Sequence, residues 1–125
     1  MNHNGKIVAV VGDLFFASKI QQTARQTGVA VTFATTEAAV LSLAAEKPAL
    51  IIVDLNINSL KPLLLIAQLK SDPELKHISL MGFVSHVQGE LKMEGQKAGC
   101  DSVLARSQFS QNLAQILKRH SGQMG

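Results

Sequence analysis

Few side chains in this sequence could do chemistry, and each of them follows an apolar run. Asp54 comes directly after four consecutive apolar residues, Leu50 to Val53. An ionised carboxylate at the mouth of so greasy a segment needs a metal, a cation or hydrogen-bond donors around it. An aspartate there can also simply cap a turn. Asp13 follows KIVAVVG, Ser85 and His86 follow ISLMGFV, and Arg106 follows SVLA. Two carboxylates, a hydroxyl, an imidazole and a guanidinium could together hold a cation or an anionic ligand. No recognised catalytic spacing joins them.

The elements that must position these groups alternate strictly. Lys6 to Val11 predicts a buried strand, since nearly every side chain is apolar. Phe16, Ile20, Ala24 and Thr27 recur at helical spacing up to Gly28, a C-cap. Val29 to Ala34 predicts a second strand. Thr35 or Thr36 caps a helix with Val40, Leu43 and Ala44 inside, stopped by Pro48. Ala49 to Val53 is the third strand and ends at Asp54. Leu60, Leu63, Leu64 and Ala67 mark a third helix, with Pro62 in its first turn and Asp72-Pro73 closing it. Ile78 to Val84 is a fourth strand. Val87, Leu91, Gly95 and Ala98 share a face of the helix that ends at Gly99. Ser102 to Ala105 is a short fifth strand. Phe109, Leu113, Ile116 and Leu117 form the inner stripe of one last helix, and 121–125 is expected to fray.

Five strand–helix units predict an α/β fold, a doubly wound parallel sheet with helices on both faces. The whole chain, 1–125, reads as a single domain with its core over about 6–120. In such a sheet a ligand site lies beyond the carboxyl ends of the strands. That rule collects Gly12, Asp13, Asp54, Val84, Ser85, His86 and Arg106.

Several functions are excluded by what is missing. There is no G-x-G-x-x-G after the first strand, no Walker lysine loop and no G-x-S-x-G elbow. The loop GDLFFAS lacks the donors that would cradle a flavin phosphate. One cysteine, Cys100, rules out an internal disulfide or a cysteine-based zinc site; it reads as a small buried apolar residue. Met81 and Met93 read as packing. His3, His77 and His120 sit in polar surroundings and read as incidental. The net charge of +3, with five Phe and neither Trp nor Tyr, does not suit a nucleic-acid binder. With neither a secretory pattern nor a membrane-length apolar run, the expectation is a cytoplasmic protein without a membrane partner.

IIVDLN around Asp54 and AGCDSVLARSQF from Ala98 to Phe109 resemble the receiver domain of bacterial response regulators. The likeness covers residues 6 to 120. It implies a flavodoxin-like sheet in 2-1-3-4-5 order and a two-component or phosphorelay signalling role. Asp54 falls on the family's phospho-acceptor. The pair of metal-holding acids after the first strand falls, without gaps, on Val11 and Gly12. A slip of one residue would make Asp13 the second acid, so Asp13 and Asp54 are the candidate metal ligands. The hydroxyl that contacts the phosphoryl group falls on Val84, with Ser85 next to it. The lysine after the fifth strand falls on Arg106 and the following proline on Ser107. The aromatic switch position falls on Val103. LNINSLKP departs from the usual methionine–proline–glycine loop.

These departures point to a stand-alone, receiver-like module that acts through protein–protein interaction, with a degenerate metal and phosphorylation site. It would be no enzyme and would require no cofactor. Arg106 could pair bidentately with Asp54, fixing both loops and holding the carboxylate ionised. Two alternatives stay open. One is a working receiver phosphorylated on Asp54 with magnesium, which would neutralise the developing charge. The other is a small-ligand-binding flavodoxin-like domain. The partner would be another signalling protein. His86, Val103 and Ser107 mark a candidate partner face across the fourth helix and fifth strand, a face the family also uses for homodimers.

Overall fold

The computed structural model describes residues 5–85 and 89–122. Five parallel strands, β1 (Ile7–Val10), β2 (Val31–Phe33), β3 (Leu50–Asp54), β4 (Ser79–Val84) and β5 (Ser102–Ala105), form one sheet in the order β2-β1-β3-β4-β5. This is the doubly wound order expected from the resemblance. The helices are α1 (Leu14–Thr27), α2 (Glu37–Ala44), α3 (Pro62–Ser71), α4 (Gly89–Ala98), α5 (Arg106–Gln111) and α6 (Leu113–Ser121).

Side-chain alternation splits the core in two. Ile7, Ala9, Val11, Leu50, Ile52 and Phe83 pack under α1, α5 and α6 with Phe16, Ile20, Phe109 and Leu117. Val8, Val10, Ile51, Val53, Leu80 and Val84 point the other way, onto α2, α3 and α4. This is the period of two of a strand buried on both faces. Asp54 shares the parity of Leu50 and Ile52, so its carboxylate leans toward the α1 and α5 layer.

Several boundaries differ from the sequence expectations. β2 is only three residues long, because it is the edge strand and pairs with β1 alone. α3 starts at Pro62 rather than Leu60. A residue before proline is pushed out of the helical region, and Lys61 accordingly has φ −101° and ψ 96°. The buried stripe of α3 is Leu65, Ile66 and Leu69, while Leu64 is 64% exposed. Met93 is likewise exposed rather than packed. It lies two residues from both Leu91 and Gly95, about 200° around the helix from each. The expected last helix is divided at Asn112, whose side-chain N–H donates to the Gln108 carbonyl at 2.9 Å and whose φ and ψ are −104° and 8°. Such local bonds compete with the helical ladder. The inner stripe of Phe109, Leu113, Ile116 and Leu117 is nonetheless buried as expected. Ser121 still belongs to α6, and Gly122 caps it in the left-handed conformation. His3, Val87 and 123–125 lie outside the described residues.

Cys100 is buried, and that burial, with the Asp101 charge beside it, pushes its thiol up to about 11. A thiol so held stays protonated and behaves as a small apolar group. Next to it, Gly99 has a φ of 129°, and a Cβ there would stand 2.5 Å from Lys70 Cγ. Lys70 cannot easily step aside. Its Nζ donates to the Lys76 and Ile78 carbonyls at 3.1 and 3.2 Å and to Asp101 Oδ2 at 3.4 Å. Gly99→Ala is therefore expected to cost about 2 kcal/mol through backbone strain and displacement of this lysine. Urea unfolding of the variant measures it. A loss below about 0.5 kcal/mol would show that the α4–β5 turn relaxes freely.

Candidate functional site

The carboxyl ends of β1, β3 and β4 and the start of α5 enclose an open cleft of about 420 Å³. Asp13, Asp54, Asn56, Ser85 and Arg106 line it. The register places them: Asp54 pairs with Phe83 across β3 and β4, and Val84 with Ala105 across β4 and β5. Ser85 and Arg106 are the next residues of their chains, side by side at the rim.

Asp54 is 4% exposed. Its Oδ1 accepts the Asn56 backbone N–H at 2.9 Å, an Asx turn that bends the chain at the end of β3. The Asn56 side chain continues the link by accepting the Ser85 backbone N–H at 2.8 Å. Loop β3–α3 is thereby tied to loop β4–α4.

Asp13 is the N-cap of α1 and accepts the backbone N–H groups of Phe15 at 2.9 Å and Phe16 at 3.2 Å on Oδ1. That is the role an N-terminal aspartate plays in any helix. Its other oxygen is not free. Arg106 Nη1 donates to Asp13 Oδ2 at 3.2 Å, and Arg106 Nη2 stands 3.8 Å from Asp54 Oδ2.

Arg106 thus divides its terminal nitrogens between two carboxylates. It does not form the bidentate pair with Asp54 that the sequence suggested. Beneath it lies an aromatic floor. The guanidinium carbon is 4.6 Å from the Phe16 ring centroid and 5.6 Å from that of Phe83. Phe83 stacks on Phe109 at 4.9 Å. A cation over aromatic faces is stabilised by their quadrupoles, by about 1–2 kcal/mol when partly desolvated. Arg106 Nε is buried without a hydrogen-bond partner among the described residues.

The two carboxylates titrate in opposite directions. The Phe16 N–H holds the Asp13 carboxyl below its ordinary value, with further help from Arg106. Burial pushes Asp54 up, and this outweighs the lowering by the Asn56 N–H and Arg106. The cation beside Asp54 therefore offsets the cost of burying its charge only in part.

The other candidate positions lie differently. Val84 is buried in the core on the α2–α4 side and turns away from the cleft. Ser85 reaches the cleft, with its backbone N–H engaged by Asn56. Val103 is 3% exposed, so it offers no surface to a partner. Ser107 is exposed on α5. His86 lies outside the described residues.

Two features went unread in the sequence. Asn56 signals itself as the second polar residue of D-L-N after an apolar strand, an Asx-turn pattern. The aromatic floor has no local signal, because Phe16 and Phe83 meet only through the fold.

The site does not fit a divalent cation in this arrangement. Such an ion takes six or more oxygens, and magnesium needs at least one or two carboxylates free to ligate it, with water filling the other positions. Here Gly12 supplies no carboxylate. Asp13 spends one oxygen on the helix cap and the other on Arg106, and Asp54 is engaged on both. Among the described residues no group of three or more His, Cys, Asp or Glu could hold a metal. No described helix is long and apolar enough to cross a membrane.

No protein-family model and no curated protein sequence matches the chain. Solved structures do. The phosphorylated cyanobacterial phytochrome response regulator superposes with a TM-score of 0.81 at 19% identity, covering 98% of this chain and 97% of that one. A chemotaxis response regulator of Vibrio cholerae gives 0.77 at 20% identity, covering 92% of this chain and 97% of that one. The receiver domain of a sensor histidine kinase from Pseudomonas aeruginosa, with magnesium coordinated in its active-site cleft, gives 0.78 at 18% identity, covering 94% and 97%. The chain has the fold of response-regulator receiver domains.

Proposed function

We propose that this chain is a signalling module of receiver fold that works by docking another protein, without turnover and without a required cofactor. One observation carries the reading. The Arg106 guanidinium stands between Asp13 and Asp54, where it serves as a fixed cation. A tethered cation needs no recruitment and does not leave, so the loops after β1, β3 and β5 stay joined in one arrangement. An incoming phosphoryl group would meet a buried carboxylate already bonded on one oxygen and faced by a cation on the other. Arginine also differs from lysine in keeping a planar fork committed to two carboxylates.

The experiment is a magnesium titration followed by beryllofluoride, read by amide shifts, and by a small-molecule phosphodonor, read by mass, with Asp54→Ala as control. The unaltered chain is expected to show no saturable change at millimolar magnesium. The double variant Gly12→Asp, Arg106→Lys returns an acid and releases the fork. Its new side chain has room, since a Cβ at Gly12 meets Ile57 Cγ1 at an ordinary 3.4 Å. It is expected to gain magnesium-dependent shifts around Asp54. Stoichiometric modification of the unaltered chain, lost in Asp54→Ala, would establish a working phospho-acceptor and overturn the fixed-cation reading.

A further inference from the structure

The charges of this protein are sorted between its two helical layers. From 14 to 34 the chain carries Lys19 and Arg25 and no acid, and from 102 to 125 it carries Arg106, Lys118 and Arg119 and no acid. The helices within these stretches, α1, α5 and α6, build one layer over the Phe16, Phe83 and Phe109 face of the sheet. Apart from the cleft carboxylates Asp13 and Asp54, the rest of the chain balances seven cations with seven acids. The net positive charge therefore belongs to one side of the molecule. Lys19, Arg25, Lys118 and Arg119 are all exposed, and none of them takes part in the ion pairs found among the described residues.

The same layer carries an apolar projection. Leu14 and Phe15 open α1 at 82% and 90% exposure. At 100° per residue, Lys19 and Arg25 fall on either side of Phe15, all three within about 120° of arc and spread over about 15 Å of helix. α1 and α6 both return antiparallel to the strands, so their C-terminal cations Arg25, Lys118 and Arg119 lie toward the same end. Between α1 and α5 runs an open groove of about 540 Å³ whose walls include Phe16, Lys19, Ser85, Arg106, Ser107 and Ser110, two cations and three hydroxyls with no carboxylate.

We propose that this face docks an acidic amphipathic helix of a partner protein. An apolar side chain of the partner meets Leu14 and Phe15, and its carboxylates run past Lys19 toward Arg25, Lys118 and Arg119. The apolar end argues for a polypeptide, because a phosphodiester backbone has nothing to bury there and Phe15 is the one largely exposed phenylalanine among the described residues of the layer. The concave groove argues against a flat bilayer. Charge complementarity of this kind sets encounter rate and orientation, and the buried apolar contact supplies affinity. The inference rests on the reading of the chain as a docking module. Its test uses neither magnesium nor phosphodonor, so its failure and that of the cleft experiment are separate results.

The probe is a synthetic amphipathic helix of about 20 residues with a leucine stripe flanked by glutamates, titrated into the isotope-labelled full chain. Amide shifts are expected on α1, α5 and α6. Lys19→Glu with Arg25→Glu is expected to weaken binding by about tenfold or more, and Phe15→Ala by about threefold or more. Lys92→Glu with Lys97→Glu, on α4, is expected to change it by less than about twofold. Shifts confined to α2–α4, equal loss in both charge-reversed pairs, or no binding would overturn the proposal. So would tighter binding of a DNA duplex, or of phosphatidylcholine–phosphatidylserine vesicles, in the same buffer.

Discussion

Phe83→Ala is expected to remove about 3–5 kcal/mol of stability, a large share of what a domain of this size possesses. Phe83 is fully buried and sits at the centre of the aromatic group, 5.0 Å from Phe16 and 4.9 Å from Phe109 between ring centroids. It is paired with Asp54 across β3 and β4, so the cavity would open directly under the site. The neighbours are strand backbones and other rings, which cannot collapse far into the space. Arg106 would lose one of its two aromatic supports and its hold on Asp13 should loosen. Urea unfolding gives the first effect. Exchange broadening of the Arg106 side-chain resonances gives the second. Phe33→Ala, on the edge strand and half-buried, is the comparison and should cost clearly less. A Phe83→Ala loss no greater than that of Phe33→Ala would mean the ring is not a keystone of the cleft.

That keystone explains what could and could not be read from the chain. The five strands and the order of elements were legible because each strand is a nearly unbroken apolar run and each helix has a buried face. Asp54, Asp13, Ser85 and Arg106 were legible as a cluster because a parallel sheet delivers every strand's carboxyl end to one edge. Which oxygen meets which nitrogen was not legible. Arg106 is ninety-three residues from Asp13, and its choice to bridge depends on the Phe16–Phe83 floor that fixes its height. Val84 was misplaced for a simpler reason: alternation turns it away from the face that Phe83 occupies. The start of α3 departs from the apolar spacing because Pro62 bars the helical region to Lys61, which stays extended although Leu60 fits the helical period.

Asp54→Asn is expected to stabilise the protein at neutral pH by about 1 kcal/mol. The sign follows from the titration. Burial raises the folded-state pKa of Asp54 above the ordinary 3.8. Its contribution to stability is then complete below that value and is lost as pH rises through the folded pKa. At pH 7 the chain carries a buried carboxylate that Arg106, shared with Asp13, compensates only in part. Asparagine keeps the shape and the acceptor for the Asn56 N–H at no charge cost. The advantage of the variant should therefore shrink as pH falls through the folded value and vanish below 3.8, where the carboxyl is neutral folded and unfolded alike. Asp13 runs the opposite way. Its lowered pKa gives stability that is present above 3.8 and lost as pH falls through the folded value, so Asp13→Ala should destabilise at pH 7 by removing the helix cap and the main partner of Arg106. A double-mutant cycle of Asp54→Asn with Arg106→Met isolates what the Arg106–Asp54 contact itself contributes. With Nη2 at 3.8 Å, the coupling should come out small, below about 1 kcal/mol. If Asp54→Asn instead proves less stable than the parent at pH 7 and approaches it only well below 3.8, then the guanidinium compensates the buried charge in full. The two carboxylates would in that case be joined by a tight ionic lock rather than by a shared and partly unsatisfied cation.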